Sequence, residues 1–322
     1  MSPSKKKARG GIDLGGTKIQ TVVVDRDNEV LGEARTQTPR EGGPPAIAEA
    51  MAGCLATAAE DAGYGRGELK GIGVGSPGEV DNGAGTVSSA RNLSGWLGTY
   101  ELAADLSERL GAPVSLGNDV QVATTAEFEL GAGREFDTVL GVFWGTGVGG
   151  GIVLDGKDWL GRGAAGEIGH MVVKRGGRRC PCGNKGCMEA YAGRAAMEAR
   201  ARKLKKKGRK TKLFKLMKAK GKDRLTSSVW EKAHKHDDPV ATELIDEAIV
   251  ALGAGVASAV NLLDVECVIL GGGLGVRFGE RLGPRIEERM HKSLFTDEHP
   301  PAFEVAALGD LGGAIGAALL AR

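Results

Sequence analysis

Gly11-Ile-Asp-Leu-Gly-Gly-Thr-Lys18, followed by the apolar, β-branched run Ile19 to Asp25, reads as a strand, a glycine turn and a second strand. Such a hairpin exposes backbone N–H groups at its tip. A second stretch of the same build, Gly141-Val-Phe-Trp-Gly-Thr-Gly-Val-Gly-Gly-Gly151, leads into the apolar strand Ile152 to Leu154. A third glycine-rich turn, Gly271-Gly-Gly-Leu-Gly275, follows the buried strand Val265 to Leu270. Taken singly each signal is weak, because glycine turns are common and most hold no phosphate. Three of them, two built alike in successive halves of the chain, point to a duplicated α/β domain that clasps a nucleotide between its halves.

Between the second and third turns, His170, Cys180, Cys182 and Cys187 lie in one short stretch bracketed by Glu167 and Glu189. One imidazole and three thiolates complete a closed tetrahedral zinc site, which is structural and performs no chemistry. Gly183 and Gly186 let the loop fold back far enough for Cys187 to reach the ion. A disulfide would leave one of the three thiols unpaired, and no secretory context supports it. Cys54 and Cys267 lie in apolar surroundings and read as inert core residues.

The 322 residues exceed one typical core and suggest two domains in a soluble, cytoplasmic protein. The expected division is a smaller lobe over 1–117, with a strand hairpin at 11–34, a helix through Pro45 to Ala62 and a strand at Gly71 to Gly75. A larger lobe over 118–308 follows, and a small apolar helix over 309–322 returns to the first lobe. A cleft between the lobes would hold both substrates. Ala248 to Leu263, the longest uncharged stretch, is too short and too interrupted to span a bilayer and reads as a buried helix. The basic tail Lys5-Lys-Lys-Ala-Arg9 has no apolar region behind it and does not read as a signal peptide.

The near-neutral total of +2 hides a strong asymmetry. Residues 200–224 hold 14 Lys or Arg and one acid, Asp223, so the remainder carries 29 basic and 40 acidic residues, or −11. A run of this kind is usually a solvated helix face or a mobile insertion. Leu204, Leu213, Phe214, Leu216 and Met217 give it some amphipathic character. The functional alternative is an anion-attracting patch that steers ATP or binds polyphosphate or nucleic acid. No base-reading motif supports nucleic acid specifically.

The chain resembles the ROK family of sugar kinases, sugar-binding repressors and uncharacterised reading frames. The resemblance is carried by Asp13-Leu-Gly-Gly-Thr-Lys18, Gly75-Ser-Pro-Gly78, Asn92-Leu-Ser-Gly-Trp96, Gly117-Asn-Asp119, Gly145-Thr-Gly147, Glu167-Ile-Gly-His170, the cysteine loop and Glu189, in the family's order. It implies an actin-like ATPase or hexokinase-type fold of two RNase H-like lobes with a cleft between them. The implied reaction is ATP-dependent phosphorylation of a hexose, glucose first, with mannose, fructose, N-acetylglucosamine and N-acetylmannosamine as alternatives. A non-catalytic sugar sensor is the reading from another class. A homodimer or dimer of dimers is the implied assembly, with no membrane or specific nucleic-acid partner. Family repressors carry a winged-helix domain before the first strand, and the ten residues here leave no room for one, so a repressor of that design is not expected.

The same resemblance assigns roles. Asp119 is the implied general base that orients the sugar hydroxyl and takes its proton; out of context, Asn118-Asp119 would read as a helix cap. Asn92, Asn118, Asp119, Glu167, His170 and Glu189 are the implied sugar contacts, His170 serving zinc through one ring nitrogen and a hydroxyl through the other. Gly15, Gly16, Thr17 and Lys18 form the implied first phosphate loop, and Thr146 and Gly147 the second. Asp13 stands near the implied Mg2+, and Gly271, Gly272 and Gly273 lie against the adenosine. Gly193 departs from the family, many members of which have serine there.

Overall fold

The computed structural model describes residues 8–90, 92–296 and 298–321, so the basic run at 5–7 and Arg322 lie outside the described residues. It contains two five-stranded sheets of the same strand order. In the first, β1 (Arg9–Leu14) pairs antiparallel with β2 (Lys18–Val24), and β2 with β3 (Val30–Gln37). On the other side of β1 run the parallel strands β4 (Gly71–Ser76) and, after a small hairpin of β5 (Glu79–Asp81) and β6 (Thr86–Ser88), β7 (Val114–Asn118). In the second sheet, β8 (Val139–Trp144) pairs antiparallel with β9 (Val148–Leu154), with the short β10 (Lys157–Asp158) at the edge. The parallel strands β11 (Cys267–Gly271) and β12 (Ala302–Val305) continue from β8. The duplication expected from the two glycine stretches is therefore a repeat of topology: a hairpin, then two parallel strands.

The helices, in chain order, are α1 (Gly43–Asp61), α2 (Leu102–Leu110), α3 (Asp119–Leu130), α4 (Glu189–Ala192), α5 (Arg194–Lys206), α6 (Leu213–Ala219), α7 (Ser227–Lys235), α8 (Pro239–Leu263), α9 (Gly272–His291) and α10 (Gly312–Leu319). Central strands such as β4 are buried along their whole length and read as continuous apolar or glycine runs because both faces are covered. On one face the cover is α10, a helix of small residues. A Cβ at Gly11 would lie 1.9 Å from the Ala314 carbonyl oxygen, and one at Gly73 only 1.7 Å from that of Ala317. Glycine in β1 and β4 is what lets this helix lie directly on the sheet.

Two compact units result: Met1–Arg134 with Asp158–Ala165 and Ala307–Arg322, and Glu135–Lys157 with Gly166–Ala306. The first runs past the expected division at residue 117 because α3 packs against α10. Glu127 of α3, buried, closes this unit: its carboxylate accepts the N–H groups of Ala132 (3.1 Å), Ala307 (2.9 Å) and Leu308 (2.9 Å). The helix expected from residue 309 starts as a 3-10 turn, Gly309–Leu311, and becomes α10 only at Gly312.

In the second unit α8 begins nine residues before the expected Ala248, at Pro239, because Asp238 caps it by accepting from Val240 and Ala241 N–H and proline occupies the first turn. The glycine stretch after β11 is a strand-to-helix junction, since α9 starts at Gly272 with φ of 79°. Among the described residues no helix is long and apolar enough to cross a membrane.

Candidate active site

Both hairpins end in three-residue tips. Gly15, Gly16 and Thr17 separate β1 from β2, and Gly145, Thr146 and Gly147 separate β8 from β9. Each tip is closed by a backbone bond, Gly15 N–H to Lys18 C=O (3.0 Å) and Gly145 N–H to Gly147 C=O (3.0 Å). The first tip is further held by the Thr38 hydroxyl, which donates to the Gly15 carbonyl at 2.6 Å. Gly16 and Thr17 are exposed, at a glycine turn of the kind whose N–H groups can receive an anion.

Around the first tip, a Cβ at Gly16 would lie 3.0 Å from the carbonyl oxygen of Asn92, which places Asn92 beside the loop. Lys18 Nζ donates to Gln20 Oε1 at 2.7 Å and stands 4.0 Å from Asp310. Asp13, at the end of β1, packs against the start of α10, where a Cβ on Gly313 would come within 2.9 Å of its Cγ. Burial pushes its carboxyl up to about 6 against the pull of Lys18.

At the end of β7 the helix cap and the acid are separate residues. Asn118 Oδ1 accepts Val120 N–H (3.1 Å) and Gln121 N–H (3.2 Å), making it the cap of α3. Asp119 is the first helical residue, half-buried, with Oδ1 3.0 Å from Val120 N. The cap thus explains Asn118, with the Asp119 carboxylate beside it at the strand end.

In the second unit four side chains converge as expected. Among the described residues, the ligand atoms of His170, Cys180, Cys182 and Cys187 lie within 4.8 Å of one another. Cys182 and Cys187 sulfurs are 3.7 Å apart, and Cys180 Sγ is 3.7 Å from His170 Nδ1. Zinc–sulfur bonds of about 2.3 Å in a tetrahedron set sulfurs about 3.8 Å apart, so the donor set fits that ion in kind and in spacing. Gly183 (φ 100°) and Gly186 (φ 90°) take the left-handed conformation that turns the loop back. His170 offers its other nitrogen, Nε2, to Glu167, 3.7 Å away.

Glu189 joins this cluster to the second hairpin tip. Its Oε2 accepts Val148 N–H at 2.9 Å, while Oε1 lies 3.9 Å from Cys180 Sγ. A Cβ at Gly147 would meet Glu189 Oε2 at 2.2 Å. Trp144, fully buried, fixes the strand before the tip by donating Nε1–H to the Ala192 carbonyl (2.6 Å) and stacking on Phe278 (5.8 Å). At the third glycine stretch, a Cβ on Gly272 would meet the Trp144 backbone at 2.7 Å, and one on Gly273 would lie 3.4 Å from Ser227 Oγ.

Arg194 belongs to this neighbourhood and is not among the residues expected from sequence. Its Nη2 donates to Thr146 Oγ1 (2.7 Å) and its Nη1 to the Leu225 carbonyl (3.1 Å), while its own N–H reaches Gly145 C=O (3.1 Å). Burial lowers its pKa, with Glu198 opposing and Arg224 adding to the fall. A signal was present: a cation at the first position of a helix opposes the helix dipole and needs another reason to be there.

Two glycine-tipped hairpins on sheets of the same order define an α/β protein of the actin-like ATPase fold. The ROK family model matches residues 9–322, and the chain belongs to the ROK family. It is 33% identical to a glucokinase of Streptomyces coelicolor over 316 residues, 97% of this chain and 96% of that one. It is 32% identical to the N-acetylgalactosamine kinase AgaK of a Shewanella species over 319 residues, 96% of this chain and 95% of the relative. Among solved structures it resembles a ROK family glucokinase from Streptomyces griseus in complex with glucose and AMPPNP, with 32% identity, a TM-score of 0.80, and coverage of 98% of this chain and 99% of that one.

Proposed function

We propose that the protein is an ATP-dependent hexokinase that phosphorylates glucose to glucose 6-phosphate, with ADP as the second product. The observation that carries this reading is the pair of matching hairpin tips together with a carboxylate, Asp119, presented at a strand end beside its own helix cap. The choice of glucose rests on the similarity to glucokinases, one of them with glucose bound.

In this reading the N–H groups of Gly15, Gly16 and Thr17, with Lys18, contact phosphate oxygens of the nucleotide. Thr146 and Gly147 are the second phosphate-binding tip, and Gly271, Gly272 and Gly273 give the adenosine a surface free of Cβ atoms. Asn92, Asn118, Glu167, His170 and Glu189 pair with ring hydroxyls, so an epimer leaves some of them unpaired. Asp119 orients the reacting hydroxyl and takes its proton as the oxygen attacks phosphorus.

Asp13 is suited to Mg2+, being a carboxylate raised by burial and opposed by a single lysine. Magnesium, when bound, neutralises charge on the phosphates. Zinc on His170, Cys180, Cys182 and Cys187 holds the loop that aims His170 Nε2 and Glu189. A cytoplasmic location suits these thiolates, which stay reduced there, and a homodimer or dimer of dimers is the assembly that goes with this reading.

The test is ADP release from MgATP with glucose, mannose, fructose, N-acetylglucosamine, N-acetylmannosamine and N-acetylgalactosamine. Glucose should give the highest kcat/KM; a higher value for another sugar refutes the substrate, and sugar binding without turnover refutes the kinase.

A further inference from the structure

The second hairpin tip is held by the start of α5. The N–H groups of Arg194 and Ala195, in the first turn of that helix, donate to the carbonyls of Gly145 (3.1 Å) and Thr146 (3.0 Å). The Gly147 carbonyl accepts Gly145 N–H at 3.0 Å. All three carbonyls of the tip are thus engaged, while the N–H groups of Thr146 and Gly147 have no partner among the described residues. The backbone of the tip has donors to spare and no acceptor to offer, which suits an anion.

The side chain of Arg194 sets the remaining group of the tip the same way. Its Nη2 donates to Thr146 Oγ1 at 2.7 Å. A guanidinium carries donors only, so the hydroxyl oxygen receives this bond on a lone pair and keeps its own hydrogen for another partner. Thr146 is exposed, and its hydroxyl has no second partner among the described residues. A hydroxyl free in solvent rotates between donating and accepting; this one is left to donate.

The guanidinium is itself fixed. Its Nη1 donates to the Leu225 carbonyl at 3.1 Å, and Leu225 N–H is taken by Glu198 (2.9 Å), one turn along α5. Leu225 directly follows the basic segment, which is anchored in turn. Arg209 pairs with Glu243 at 2.7 Å, and buried Asp238 accepts the Thr211 hydroxyl and the Lys212 N–H. Both nitrogens of the Arg194 fork are therefore spent on neutral oxygens, and the side chain has no carboxylate within ion-pair distance among the described residues. A half-buried cation at the first position of a helix loses hydration and opposes the helix dipole. An anion on the tip offsets both.

We infer that Arg194 is a positioning residue for the nucleotide, setting the Thr146 hydroxyl as a hydrogen-bond donor to a phosphate oxygen of ATP. The inference rests on the kinase reading above. Thr146 touches the phosphate and Arg194 acts through it, so the two side chains form one unit toward the nucleotide and have no direct part in holding the sugar.

The experiment measures the KM of MgATP and of glucose, and MgATP affinity by calorimetry, for the full-length zinc-loaded protein and for R194M, R194K, T146V, T146S and R194M/T146V, with melting temperatures as the check on folding. Expected is a rise of about tenfold or more in the KM and Kd of MgATP in R194M and in T146V, with glucose KM within about twofold of the parent and T146S close to it. The double variant should bind MgATP within about twofold of the weaker single variant, because either change alone already removes the oriented hydroxyl. R194K, whose ammonium can still donate to Thr146, should recover part of the affinity. Parental MgATP affinity in R194M, or losses that multiply in the double variant, overturns the inference and leaves the kinase reading standing. An equal rise in glucose KM does the same, since it marks a structural brace. If R194M does not fold, parental MgATP affinity in T146V is the overturning result, and a loss there that T146S and R194K restore is the supporting one. A parent that neither binds MgATP nor turns over overturns the kinase reading and this inference together.

Discussion

Glu189 Oε2 accepts the N–H of Val148 at 2.9 Å, directly after the second hairpin tip. The carbonyl of the same Val148 is covered by Gly169, where a Cβ would come within 1.9 Å of it. The residue that follows the tip is thus held on its N–H side by the end of the cysteine loop and on its carbonyl side by the turn that carries His170.

Loss of Glu189 should therefore affect both substrates. Glu189→Ala removes a charged acceptor from a partly buried N–H, a change worth about 1.5–3 kcal/mol. Steady-state kinetics should show KM rising for ATP as well as for sugar, with Glu189→Gln recovering part of the ATP effect because its amide oxygen can still accept. A rise confined to the sugar contradicts the coupling.

Zinc removal should act through the same connection. Cys182→Ser, or stripping with a thiol-competing chelator, should raise sugar KM by about 10–100-fold and increase hydrogen exchange over residues 167–189. A demonstrably zinc-free protein with unchanged kinetics and exchange rules out this role.

Gly193 leaves little room for a side chain. A Cβ there would lie 2.9 Å from the Glu189 carbonyl oxygen, 3.0 Å from its Cγ and 3.4 Å from Gly147 Cα. Gly193→Ser should cost about 1–3 kcal/mol, visible as a lower melting temperature, and should weaken ATP through Gly147. A neutral substitution means that the serine is accommodated by a shift of the loop.

Asp13 sets a pH dependence. Its carboxyl is raised from 3.8 to about 6 in the fold, so the folded state binds the proton more tightly than the unfolded chain. The stability it contributes is fully present below pH 3.8 and is lost as pH rises through about 6, at a cost of about 3 kcal/mol at neutral pH. In magnesium-free buffer Asp13→Asn should melt higher than the parent at pH 8, with the gain shrinking toward pH 5, while turnover is lost. A lower melting point for the variant at pH 8 contradicts this assignment.

The hairpins are legible in the sequence because glycine tips and β-branched runs are local signals, and the cysteine loop because a closed metal site limits both ligand type and spacing. The partner of Arg194 is not, since Thr146 lies 48 residues away and only packing brings them together. Gly271 to Gly275 reads as a loop by composition, yet it opens α9, because Leu274, Phe278 and Leu282 bury one helical face and override the weak propensity of glycine. The early start of α8 is written in Asp238-Pro239, a capping signal that attention to uncharged length passes over. The basic segment carries the pattern of a mobile insertion, and its anchors to Asp238 and Glu243 are tertiary.

The most direct test of the account is turnover of Asp119→Asn with MgATP and glucose, alongside glucose binding measured by calorimetry. The account predicts that kcat falls by about 10²–10⁴-fold while glucose affinity stays within a few-fold of the parent, since Asn keeps the side-chain shape and loses only the base. Turnover close to that of the parent, in a variant of confirmed identity, contradicts it.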